Sequence, residues 1–310
     1  MKHPQLTHSI IMCQPDSFGY NSQTGSDNEF QHRSDLASNE VTARALNEFA
    51  NSVERLRAHG LEVLVLEHHD GINRPDAVFP NNWFTTHPNG EVLLYPMKTP
   101  NRQREVVPEQ LRSLLQHNGY HVSKMHPSAD ICQGIVEGTG AMVFDHVQQQ
   151  VYAALSERCE HRSLLEVATY LDYTPVVFTA NSQHNTPIYH TNVMMSVGED
   201  FAVVCLDSIT QAERNSVLAE LEAAAKQVIT ITAEQCEQSF CANILQVKSA
   251  QNEPLILLSK NALNGFSAAQ RVMLERHGQL VDCNIATIEH IGGGSLRCMV
   301  AENFLPRQID

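Results

Sequence analysis

Short apolar runs recur along the whole chain, and most are too brief for anything but strands. Residues 8–15 (HSIIMCQP), 61–68 (LEVLVLEH), 91–97 (EVLLYPM), 141–145 (AMVFD) and 151–155 (VYAAL) read this way. So do 175–180, 193–198, 201–207, 227–232, 244–249, 255–259 and 295–304 (SLRCMVAENF). Between them lie segments with apolar residues at helical spacing. These are 41–60, which stops at Gly60, and then 109–120, 162–171, 209–227 and 267–278. Asp207-Ser208 and Asn264-Gly265 look like turn or cap signals ahead of helices. The order is mixed α/β, with more strands per helix than a doubly wound sheet carries. No Pro/Gly/Ser-rich linker divides it, so a single domain over residues 1–310 is expected.

Composition narrows the classes. With 310 residues, 42% hydrophobic and 18% charged, the chain is of ordinary globular type and long enough for a large core. Its formal net charge of -14 repels phosphate backbones, so nucleic acid is not an expected partner, whereas a small cationic or zwitterionic ligand is tolerated. The N-terminal apolar run is too short for a signal-peptide core, and no run approaches the length of a membrane span. The eight cysteines form no CxxC pair. They read as free thiols in a reducing, cytoplasmic setting. No GxGxxG follows a strand, no phosphate-binding GxxxxGK[ST] loop exists, and His and Cys show no ligand spacing such as HExxH. No cofactor and no metal are therefore expected.

Four segments place polar residues where a strand pattern ends. In 291–304, Gly292, Gly293 and Gly294 offer a backbone that can approach a ligand closely, and Cys298 follows. Read alone, this is equally a flexible turn before a buried strand cysteine. In 186–196, His190 has the chemistry of a general acid and base, and on a strand Asn192 would share its face. In 130–145, Glu137 precedes Gly138 and Gly140 at the entry to an apolar strand, where a carboxylate can grip the N–H of a planar substrate. In 74–87, Asp76, Asn81 and Asn82 bracket Phe79 beside the only tryptophan, a set suited to a planar polar group. Arg158 could hold a carboxylate bidentately, and Arg297 adjoins Cys298 and could lower its pKa. Each of these has an ordinary reading as a turn, a surface charge or a core residue.

Taken in order, the motifs resemble the guanidine-modifying superfamily. That superfamily comprises amidinotransferases, arginine deiminases, dimethylarginine dimethylaminohydrolases and succinylarginine dihydrolases. Residues 13–21 (CQPDSFGYN), 76–83 (DAVFPNNW) and 292–298 (GGGSLRC) look most like bacterial amidinotransferase-like citrulline-utilization hydrolases, and the resemblance runs from about residue 9 to 306. It implies a pentein fold: a five-bladed pseudosymmetric α/β propeller of ββαβ modules. It also implies roles: Cys298 as nucleophile, His190 as general acid/base, Glu137 on substrate nitrogens, Arg158 on the substrate α-carboxylate and Asp76 near the amino group or reacting centre. The partners implied are a small amino-acid substrate and, as an option, a second copy of the chain as a homodimer. Deiminases carry Asp where this chain has Asn82 and Asn192. Two amides remove the charge match to a guanidinium and suit the C=O of a neutral ureido group. The expectation is hydrolysis of citrulline or arginine to ornithine through a covalent intermediate on Cys298. The alternatives are an amidinotransferase with an amine acceptor, or an arginine deiminase stopping at citrulline. A non-catalytic amino-acid-binding protein would lack Cys298 or His190, and a papain-like peptidase would carry its signature around the cysteine. The polar loop 21–28 is positioned in sequence to cover a site.

Overall fold

The computed structural model describes residues 3–68 and 70–308. Its strands form five three-stranded sheets of one pattern, in agreement with the pentein expectation. The first sheet joins β3 (Phe84–Thr86), β4 (Glu91–Leu94) and β5 (Lys124–His126), and the second β6 (Val143–Asp145), β7 (Gln150–Ala154) and β8 (Thr174–Phe178). The third holds β9 (Met195–Val197), β10 (Phe201–Val204) and β11 (Gln227–Thr230), and the fourth β12 (Leu245–Lys248), β13 (Pro254–Ser259) and β14 (Gln279–Cys283). The fifth brings the two ends of the chain together: β15 (Ala301–Glu302), β1 (Ser9–Cys13) and β2 (Glu62–Leu66). Ile10 lies opposite Glu302 and Ile11 opposite Ala301, so the C-terminal strand closes the ring on the N-terminal one.

In every sheet the first strand is antiparallel to the middle strand and the middle strand is parallel to the third. A parallel neighbour needs a crossover. Five helices supply it: α1 (Ser38–Ala58), α2 (Pro108–His117), α3 (His161–Leu171), α4 (Arg214–Ala223) and α5 (Ala268–Glu275). Helix α1 shows why the sequence allows this. Val41, Ala45, Phe49, Val53 and Leu56 recur at helical spacing and are buried, and Gly60, at φ +81°, ends the segment. Truncating Leu56 to Ala would cost about 2–5 kcal/mol through the cavity left behind.

Several expectations need correction. Residues 295–304 do not form one strand: Leu296–Met299 is a 3₁₀ turn and only Ala301–Glu302 is extended. The Cys298 it carries is thus on a turn, not in a sheet. Asn192 sits in the short helix Thr191–Met194, so a shared strand face with His190 is not the geometry. Asp207 and Ser208 belong to their own 3₁₀ turn, and Asn264-Gly265 ends a helix. The cap of α5 is instead Ser267, which forms a capping box with Gln270. Strands β3, β5 and β14 went unread. The first two are three residues long, and β14 carries Gln279 and Asp282 among its apolar positions.

Candidate active site

Each sheet is entered through a short turn placed just before its first strand, and each of the five turns carries a buried polar or nucleophilic side chain. Asn82 ends the 3₁₀ turn before β3, and Glu137 caps the helix Gly138–Ala141 before β6. His190 and Asn192 flank and enter the helix before β9, Asn243 lies two residues ahead of β12, and Cys298 lies in the turn before β15. The repeat of the fold therefore gathers residues that are scattered over more than 200 positions of sequence. Cys298, His190, Glu137, Asn192, Asn82, Asp76 and Arg158 are all at most 3% exposed, so the site is closed over.

Around the Cys298 sulfur the donors are amides. Asn243 Nδ2 donates to Sγ at 3.3 Å and Asn192 Nδ2 at 3.5 Å. Burial pushes the Cys298 thiol up. The Asn243 hydrogen bond, the Arg297 charge and Asn192 all pull down, but burial wins. The expectation that Arg297 activates its neighbour is thus met only in sign. The Arg297 guanidinium is committed to the Val300 carbonyl at 2.7 Å and to Glu302 at 3.0 Å.

His190 and Glu137 form a buried pair, Nε2 to Oε2 at 2.9 Å. The other Glu137 oxygen accepts the Lys98 backbone N–H at 3.0 Å, and the Arg102 and Arg158 guanidinium groups stand 3.6 and 3.7 Å from the carboxylate. Burial alone would raise Glu137, but Arg158, His190 and Arg102 together hold it well below the usual carboxylate range. Burial lowers His190 to about 4 against the pull of Glu137, so at neutral pH its ring is uncharged. In this closed arrangement Glu137 orients the imidazole and fixes its tautomer.

Arg102 was not singled out from sequence. Its guanidinium donates to Asn82 Oδ1 at 2.8 Å, to the Phe79 carbonyl at 3.3 Å and to Glu105 at 2.9 Å, and it stands 3.9 Å from Asp76. An arginine only donates, so the Asn82 atom facing it is the oxygen and the free end is the –NH₂ group. That Nδ2 is buried with no partner, as are Asp76 Oδ1 and both amide atoms of Asn81. The second Asp76 oxygen accepts from Asn21 at 2.6 Å and Thr24 at 3.2 Å. Arg158 gives its fork to Asp27 and lies over the Tyr189 ring, 4.9 Å from its centre. Asp27 also accepts from Lys98 at 2.6 Å.

Those contacts place the polar segment 21–28 directly over the site. Asn28 and Gln31 pin it further, donating to the Gly293 and Gly292 carbonyls at 3.4 and 3.1 Å. The three glycines are needed because of what they touch. A Cβ on Gly292 or Gly294 would meet the Phe79 ring at 2.7 and 3.1 Å, and Gly293 alone takes a positive φ, +63°. Phe79 is a buried wall against this loop. Arg102, Asp27 and Lys98 were missed because a charged residue in a polar stretch carries no sequence signal. Asn243 had one, as an amide immediately ahead of an apolar run. Among the described residues no group of three or more His, Cys, Asp or Glu side chains is placed to hold a metal ion.

A buried thiol, a His–Glu pair and the unpartnered Asn82 amide on equivalent turns of the repeated unit, with the Asp76 carboxyl beside them, agree with the sequence resemblance. The family described as N,N dimethylarginine dimethylhydrolase, eukaryotic, matches residues 14–305. The chain belongs to this family. Solved structures repeat the dimethylargininase-like fold. The N-terminal domain of ArgZ, covalently bound to a reaction intermediate, superposes with a TM-score of 0.72 at 17% identity, covering 96% of this chain and 99% of that one. Apo ArgZ, an arginine dihydrolase from the ornithine–ammonia cycle in cyanobacteria, gives 0.72 at 16% identity over 94% of this chain and 40% of that longer one. A DDAH from Pseudomonas aeruginosa complexed with citrulline gives 0.66 at 14% identity, covering 96% and 99%. None of the curated proteins compared with the chain matches it.

Proposed function

We propose that this protein hydrolyses the C–N bonds of the guanidino or ureido group of an arginine-like amino acid, releasing ornithine from citrulline. The observation that carries this reading is the orientation of Asn82. With Oδ1 held by Arg102, its free Nδ2 is a donor. A methyl on Gly140 would clash with that nitrogen and sit 2.7 Å from His190 Nδ1, so the two groups converge above one glycine. A donor there matches a substrate carbonyl and opposes the N–H of a guanidinium. Membership of the dimethylargininase-like family and the structural likeness to ArgZ support the reaction class.

In the resting enzyme the pair is a neutral thiol and a neutral imidazole. Cys298 sulfur adds to the ureido carbon as its proton passes by way of His190 to the departing nitrogen, which leaves as ammonia. The S-carbamoyl intermediate then takes water, which His190 deprotonates. The thiol is restored and an N-carboxy amine is released, which loses CO₂ to give ornithine. Asp76 would meet the α-amino group. Arg158, now on Asp27, would turn to the α-carboxylate once the 21–28 segment lifts. The eight buried, unpaired cysteines suit a reducing, cytoplasmic compartment.

The test is a product assay on citrulline and arginine with ornithine and ammonia quantified. Ornithine from citrulline, abolished in Cys298→Ala, is expected. Asn82→Asp should cut turnover of citrulline by about 100-fold or more, because a carboxylate repels the carbonyl where an amide donated to it. Citrulline accumulating as the end product from arginine would instead mean a deiminase, and transfer to added glycine or ornithine an amidinotransferase.

A further inference from the structure

Four of the five turns that enter the sheets supply groups to the reaction proposed above. The fifth carries Asn243, wholly buried, in the segment that follows the helix Ala233–Ser239. Its Nδ2 makes two hydrogen bonds, to the Asn192 backbone carbonyl at 2.8 Å and to Cys298 Sγ at 3.3 Å. A backbone carbonyl only accepts, so the atom facing it is the amide nitrogen, and that nitrogen has a second hydrogen for the sulfur. Asn192 Nδ2 reaches the same sulfur at 3.5 Å from the neighbouring repeat. The sulfur therefore rests between two neutral donors. Among the described residues no side-chain cation touches it, and no hydrogen bond or ion pair links it to His190. Each amide oxygen lies somewhat further off, 3.6 Å for Asn243 and 3.8 Å for Asn192, within reach of a thiol proton.

We propose that Asn243 is a catalytic residue: with Asn192 it forms an amide cradle that holds the Cys298 sulfur and stabilises its negative charge as it attacks and as it leaves. The inference rests on Cys298 being the nucleophile. The cradle differs from a Cys–His ion pair in one respect. Neutral amides can serve the thiol through their oxygens and the thiolate through their nitrogens, so one cradle holds the resting thiol and then stabilises the thiolate that forms as substrate is attacked. Within the cradle, the Asn243–Asn192 carbonyl contact also ties the two turns together, so the cradle is held by the fold and not by the substrate.

The experiment is the pH dependence of iodoacetamide alkylation, read by mass spectrometry at the Cys298 peptide of the full chain so that the other seven cysteines do not contribute. Wild type, Asn243→Ala, Asn243→Ser and Asn243→Asp are compared, with kcat, KM and thermal midpoint for each. Loss of a hydrogen bond to a charged sulfur should move the alkylation midpoint up by about one pH unit in Asn243→Ala and lower kcat about tenfold or more with KM unchanged. Asn243→Asp, nearly isosteric but anionic, should move it further. Asn243→Ser, which keeps a donor, should fall between wild type and Ala. A lowered thermal midpoint with the alkylation midpoint and kcat of the wild type, in the Ser and Asp variants as well as Ala, would make Asn243 a structural residue and overturn the proposal. Failure of the underlying reading looks different: Cys298→Ala would keep its activity whatever the Asn243 variants do to alkylation.

Discussion

At the scale of single residues, the site is organised by a cation that the sequence did not advertise. Arg102 touches Asn82, the Phe79 carbonyl and Glu105 together. Replacing it by Leu would leave Glu105, Asp76 and Glu137 crowded in a buried space with one cation fewer. That should lower the free energy of unfolding by about 3–5 kcal/mol, read as a downward shift of the chemical denaturation midpoint. Arg102→Lys keeps the charge but not the fork, and a single ammonium cannot serve Asn82 and Glu105 at once. We expect a folded protein whose turnover of citrulline drops at least tenfold. Full activity in that variant would mean that the Asn82 orientation does not depend on Arg102. Cys298, His190, Glu137 and Asn82 could be picked out as candidates because each is a polar or reactive residue at the edge of an apolar run and within four positions of a glycine or proline. Arg102 and Asp27 were not, since only the fold shows which arginine or aspartate of a polar stretch points inward.

At the scale of elements, the turns before the strands work because their glycines stay bare. Gly140 lies in the helix Gly138–Ala141, packed against both the Asn82 amide and the His190 ring. A Gly140→Ala change adds a methyl where these two groups meet, and both must move. A displacement of about 1 Å at reacting groups costs about 100-fold in rate. We expect kcat for Gly140→Ala to fall by that order while far-UV circular dichroism stays native, and near-normal kcat would show that the turn has slack. The crossover helices, by contrast, were readable from spacing alone. Their apolar stripes serve only packing, and α1 and α3 match their periodic segments closely. What spacing could not give was the 3₁₀ turn under Cys298. Its residues are apolar and buried like those of a strand, and only hydrogen bonding tells the two apart.

At the scale of the whole molecule, the ring is closed by the pairing of β15 with β1, and a histidine cluster sits beside that closure. The His3 ring stacks on His146 at 3.8 Å, Phe304 meets both edge-on at 4.5 and 5.2 Å, and His87 stands 6.1 Å from His3. These residues come from the N-terminal segment, from the ends of β3 and β6, and from the chain just after β15. His87 is anchored by Thr85 at 2.9 Å and His146 by the Tyr173 hydroxyl at 2.6 Å. Burial lowers His3 against the pull of its hydrogen bond to the Pro4 carbonyl; burial, and then the charges of neighbouring histidines, lowers His146 and brings His87 to about 3, and Arg297 adds to the effect on His146. A histidine with a depressed folded pKa stabilises the fold above its unfolded pKa, near 6.5, and loses that contribution as pH falls toward the folded value. The unfolded chain takes up protons from about pH 6.5 downward, while the folded ring resists until about pH 3 at His87. The contribution of these histidines to stability should therefore fall from neutral pH to pH 4. Melting temperatures measured across that range test this, and because the ends of one chain complete the fifth sheet we expect a single transition throughout. His87→Gln keeps a polar partner for Thr85 without a titrating ring, so it should flatten the slope. An unchanged slope would move the acid sensitivity elsewhere, with His190, lowered to about 4 in the active site, the next residue to test.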